Sequence, residues 1–196
     1  GVMSIEIPLF AFSDSVSSGN RLRVAVSTSY WPMLWPAAKS GRVVLHASRS
    51  RVSLPARVPR AADGIEMAEP ESAPTFTWTP LRAGGYRRQD ATNGATGERI
   101  VTITEDMGTG RIEEIDLSVS ECTTRTFRMC PDEPSSAVIE TQMTSSFGRR
   151  DWSAETSVRG RITAEAGGMQ AWHELEAREG DRRVYRREWR EAVPPR

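Results

Sequence analysis

The sequence is short of the residues that carry most nucleophilic, acid-base and metal chemistry. Its 196 residues include two cysteines, two histidines and a single lysine, Lys39. It also lacks a charge of one sign: Lys and Arg number 26 and so do Asp and Glu. A balanced chain has no broad field with which to hold a nucleic acid or an anionic membrane, so neither partner is expected. No apolar run approaches the roughly 20 residues that a spanning helix needs. The opening GVMSIEIPLF has neither the basic start nor the long apolar core of a signal peptide. A soluble, cytoplasmic protein is the expectation. That the positive charge is almost all arginine carries no functional inference.

The two cysteines, Cys122 and Cys130, fall within a stretch that reads as one strand. At about 3.3 Å per residue their Cα atoms lie roughly 26 Å apart, far beyond the roughly 7 Å limit for a disulfide. Free thiols are expected, in keeping with a reducing compartment.

What the sequence does have is alternation. Residues 5–12 (IEIPLFAF) and 21–29 (RLRVAVSTS) carry apolar side chains at period two or in β-branched blocks, and SVSSGN between them supplies turn chemistry, which predicts a hairpin. Residues 42–48 and 50–58 have the same pattern. Five prolines from Pro55 to Pro80 mark an irregular crossing or linker. Beyond it come many short strand-like segments, then a long pair, AVIETQMTSSF and WSAETSVRGRITAEA, around GRRD. MGTGR (residues 107–111) reads as a turn between strands. The end, where helix formers also alternate at period two, is assigned to two closing strands around Glu179, Gly180 and Asp181. Many strands joined by polar turns predict an all-β sandwich or barrel.

Catalytic and metal signatures are missing. There is no G-x-S-x-G elbow, and His46 and His173 are each flanked by strand-like sequence, which suits a packed or edge imidazole better than a base. HELEA at His173 lacks the second histidine of a zinc helix, and the cysteines lack C-x-x-C spacing, so no metal and no cofactor are expected. The neighbouring carboxylates Glu105 and Asp106, and Glu113 and Glu114, are expected on opposite faces of strands as solvated groups. The one unusual feature is YWPMLWP, residues 30–36. Each proline fixes its own φ and restricts the residue before it, making a stiff aromatic loop. It suits a plug over one end of the core, a contact with another domain, or a platform for stacking sugars. Trp35 is expected inward and Trp31 outward.

SSGNRLRVAVSTSYWPMLWP (residues 17–36) resembles the C-terminal domain of the X-Pro dipeptidyl-peptidase and cocaine esterase hydrolases, with Asn20 where a histidine is usual. VVLHASRSRVSLPARVPRAAD (residues 43–63) is similar to that family's Leu-Pro-Val-Arg stretch. MCPDEPSSA (residues 129–137) is similar to its Pro-Asp-Asp-Pro corner, with Glu133 and Ser135 as departures. GRRDWSAETSVRGRITAEA and EGDRRVYRREWREAVPPR are similar to its last strands. The resemblance implies a jelly-roll β-sandwich, galactose-binding-domain-like, formed by residues 1–196 as a single domain. The family's jelly roll is usually preceded by a further strand or two, so the N-terminus is expected to fall within the domain.

None of the family's catalytic Ser, Asp or His maps onto this chain, so whether an enzyme is formed depends on another domain. The resemblance implies a non-catalytic accessory domain of an α/β-hydrolase, of dipeptidyl-peptidase or acyl esterase type, packed against the catalytic domain in cis or in trans. Shaping the active-site cleft and holding domain or subunit contacts, a homo-oligomer included, is the expected role. Tyr30, Trp31 and Trp35 are then the interface or pocket-wall candidates. The alternative is a stand-alone carbohydrate-binding module, which fold alone does not establish.

Overall fold

The computed structural model describes residues 2–10, 14–28, 30–36, 41–58, 60, 64, 66–165 and 168–194. Among the described residues eight strands form one antiparallel sheet: β1 (Trp78–Arg82), β2 (Gly85–Thr92), β3 (Arg99–Ile112), β4 (Leu117–Cys130), β5 (Glu133–Arg149), β6 (Trp152–Glu165), β7 (Gly168–Glu179) and β8 (Arg182–Val193). From β3 to β8 every strand pairs with its predecessor, and β1 and β2 lie end to end along the free side of β3. The all-β class expected from the sequence stands. The long pair is β5 and β6 joined at Arg150, and the closing strands are β7 and β8 joined at Gly180, as the turn residues indicated.

Several boundaries differ from expectation. MGTGR is no turn: it lies within the 14-residue β3, where the register with β4 shifts between Asp106 and Thr109 and Gly108 takes φ +76°. This is a bulge, and glycine supplies the left-handed conformation it needs. Asp106 stabilises it, accepting a hydrogen bond from the Gly108 N–H at 2.8 Å. Glu113 and Glu114 open a short 3-10 turn (Glu113–Ile115) instead of alternating along a strand. There the Arg111 guanidinium holds Glu113 at 3.1 Å, and Glu114 accepts the Thr77 N–H at 2.6 Å.

The hairpin expected at 5–12 and 21–29 falls partly on residues 11–13 and 29, outside the described residues. Its turn is formed, with the Asn20 N–H donating to the Ser17 carbonyl at 3.1 Å and Gly19 at φ +90°. The described residues that flank it carry no strand, and neither do those of 42–58, where Ala47–Arg49 makes a 3-10 turn. Period-two alternation prepares a strand to bury one face, but the strand forms only where a partner supplies its ladder.

Register and alternation together give the sheet two unlike faces. On one, Val101, Phe127, Ile139, Ile162 and Ala171 stand side by side across five strands. The row of Met143, Val158 and Leu175 and the row of Val119, Phe147 and Ala154 share that face. The other face holds Thr104 and Thr124, whose hydroxyls meet at 3.3 Å, and beyond them Gln142, Arg159, Glu174 and Arg186. Ala137, fully buried, and Thr123 and Ser145, nearly so, all lie on the apolar face. The core, such as it is, sits there.

Candidate functional site

The aromatic loop is built by a backbone turn in which the Leu34 N–H donates to the Tyr30 carbonyl at 2.8 Å. The Trp31–Pro32 peptide is cis. The turn brings Trp31 and Trp35 edge to face, ring centroids 5.2 Å apart, and sets Trp31 in a T-shaped contact with Phe127 of β4 at 6.1 Å. Both contacts are in the range where aromatic quadrupoles attract. The ring that reaches the sheet is therefore Trp31, which was expected outward, and both tryptophans are half-buried. Tyr30, Met33 and Leu34 form the outward side, each more than 60 % exposed. A loop wholly consumed as a core plug would not leave three large side chains in water.

The two histidines lie on different elements. His46 is exposed beside the Ala47–Arg49 turn. His173 lies in β7 opposite Gly160 and Trp189, on the apolar face, its Nδ1 lying 2.9 Å from where a side chain on Gly160 would begin. Glycine at that position makes room for the imidazole, which is itself exposed. Cys122 and Cys130 are free thiols on one strand. Among the described residues no group of three or more His, Cys, Asp or Glu is placed to hold a metal ion, and no helix is long and apolar enough to cross a membrane.

Charge on the sheet is paired rather than pooled. Asp106 accepts two hydrogen bonds from the Arg82 guanidinium, at 2.5 and 2.8 Å, where β1 ends and β2 begins. With the Gly108 N–H as a third donor, the Asp106 carboxyl is held down at about 2. On the polar face Arg186 holds Glu174 at 2.6 Å, and Arg178 and Arg183 flank Glu176, whose pKa the Arg178 hydrogen bond lowers. Such exposed pairs contribute little each and mark a solvated surface, not a general acid or base. Glu105, paired with Arg125, stands on the apolar face at its margin.

The Arg82–Asp106 clamp has a consequence for pH. A carboxyl with a lowered folded-state pKa adds stability that is complete above its unfolded value, near 3.8, and is lost as pH falls through the folded value. The melting-temperature gap between the wild type and Asp106→Asn should therefore narrow as pH is lowered from about 5 to about 2. A gap that stays constant over that window would show that the clamp does not set the Asp106 titration.

The N-terminal part of the chain has a recognised counterpart. Residues 1–69 match the family model of the X-Pro dipeptidyl-peptidase C-terminal non-catalytic domain. The match includes the SSGNRLRVAVSTSYWPMLWP and VVLHASRSRVSLPARVPRAAD motifs and the aromatic loop, while the motifs at 129–137 and at the end lie outside it. No curated protein and no solved structure matches the chain.

Proposed function

We propose that this chain is a non-catalytic accessory part of an α/β-hydrolase of X-Pro dipeptidyl-peptidase or acyl esterase type, and that the outward side of its aromatic loop meets the catalytic domain. In this role residues 1–196 act as one jelly-roll unit in the cytoplasm, shaping one side of the active-site cleft and holding domain or subunit contacts. The observation that carries the reading is the position of the loop: it lies within the segment matching a non-catalytic peptidase domain and presents Tyr30, Met33 and Leu34 to solvent on a stiff base. Rigid, exposed aromatic and aliphatic side chains are the usual anchors of a buried interface.

Two measurements test it. The chain alone should show no turnover of proline-linked dipeptide arylamides or short-chain aryl esters. Mixed with an α/β-hydrolase domain expressed from the same polypeptide or the adjoining reading frame, it should form a complex that Tyr30→Ala weakens by about tenfold or more, with the melting of the chain itself nearly unchanged. Turnover abolished by replacing a serine of this chain would defeat the proposal. So would a glycan array lighting up with a Tyr30-dependent signal while no hydrolase domain binds.

A further inference from the structure

A sheet with one apolar face is half of an interface. Here the apolar face spans at least five strands, from Val101 to Ala171 in its longest row, and it carries every described non-glycine residue that is buried. The opposite face is furnished for water, with hydroxyl ladders and paired charges. Exposed apolar surface of that extent in a folded protein is ordinarily covered. The covering element has left a marker: Trp31, far away in sequence, meets Phe127 in a T-shaped contact within the longest row.

The segment to which Trp31 belongs has the complementary chemistry. Ile5, Ile7 and Leu9 alternate along it, and so do Leu22, Val24 and Val26, all between 59 % and 70 % exposed. Val43, Val44 and Leu45 add a continuous apolar run, each at 58 % exposed or above. These are side chains spaced to bury one edge against a flat apolar surface. The segment is joined to β1 through residues 59–77 of the same chain, so its local concentration at the sheet is on the order of millimolar. A second copy of the chain, free in solution at micromolar concentration, competes at a large disadvantage.

We propose that the apolar face of the sheet is the docking surface for the chain's own N-terminal segment, through its described residues 2–10, 14–28, 30–36 and 41–58, with Trp31 on Phe127 as the anchor and Ile139 and Ile162 as the adjoining seat. The outward side of the loop stays free, so the inference holds whether or not a hydrolase domain binds there.

Photo-cross-linking in the full chain tests this. A reporter at Trp31 would only repeat a contact already seen, so Val24→p-benzoylphenylalanine and Leu45→p-benzoylphenylalanine carry the test. Irradiation should give intrachain cross-links to peptides containing Phe127, Ile139 or Ile162, and their yield should fall about fivefold or more in an Ile162→Ser background. The same reporters in a Gln142→Ser background, on the polar face, should cross-link as in the parent. Cross-links between chains would overturn the proposal in favour of a second copy as the occupant. Reporters that mark only the polar face, or no part of the sheet, would overturn it outright. Because the parent sheet is unaltered in the first arm, a variant that fails to fold does not remove the answer.

Discussion

Ile139→Asp should lower the unfolding free energy by about 2 to 4 kcal/mol, the range in which loss of a large apolar side chain and forced desolvation of a charge overlap. The lower part of that range allows for a half-exposed position. Ile139 stands between Phe127 and Ile162 in the longest apolar row, so a carboxylate there has hydrocarbon on both sides. The nearest cation on the same face is Arg125, which is diagonal to it and already engaged by Glu105. Denaturant titration should show the midpoint falling while the slope stays constant. Gln142→Asp puts the same charge on the exposed polar side, opposite Arg159, and should stay within about 0.5 kcal/mol of the parent. Equal losses for the two variants would mean that the faces are not distinct.

Gly108→Val is expected to be about as damaging, at roughly 2 to 5 kcal/mol, the sum of a left-handed backbone penalty and an overpacking penalty. The residue sits at φ +76°, and a Cβ there would lie 2.5 Å from the Arg82 carbonyl oxygen and 2.7 Å from the Gly84 nitrogen. Both obstacles are backbone, so no rotamer change relieves them. Relief requires β1 to part from β3, which also breaks the Arg82–Asp106 clamp and the Gly108 N–H bond to Asp106. The variant should therefore lose stability and, in the same step, the acid dependence described for Asp106. Gly94→Ala, where nothing lies within 4 Å and φ is not positive, should be neutral or slightly stabilising. A Gly108→Val protein as stable as the parent would show that the bulge is not needed.

These two positions also show what the sequence could and could not disclose. Ile139 lies in a segment whose alternation was plain, and its paired strand was announced by Arg150 and Asp151, polar residues between two long apolar-polar runs. Cys122 and Cys130 were placed on one strand for the same reason. Gly108 reads as a turn in the sequence because two glycines close together signal a turn as readily as a bulge; only the partner strands β1 and β4, running past on both sides, distinguish the two. Short strands merged into long ones for a related reason. Glu113 and Glu114 look like strand residues by alternation, but Thr77 and Arg111 offer them partners that favour a turn of helix. The aromatic loop was legible from its two Trp-Pro pairs. Its contact with Phe127 was not, since no local pattern in 30–36 or 117–130 refers to the other, and the direction of each ring is set by the fold of the turn.

The strand order described above also bears on how the chain reaches this structure. From β3 onward each strand lies beside the one made just before it, and β5–β6 and β7–β8 close through two-residue connections. Contacts of that kind are near in sequence, and short loops close in roughly 10 to 100 ns, with hairpins following in microseconds. The sheet can therefore lengthen in the direction of synthesis, each new strand finding its template already in place as it leaves the ribosome. Low contact order gives such a meander a fast route compared with interleaved β topologies. Among the described strands β8 stands at the edge of the sheet, and the five arginines it carries, Arg182, Arg183, Arg186, Arg187 and Arg190, four of them paired with glutamates, line that edge with charged groups of the kind that discourages another chain from continuing the ladder.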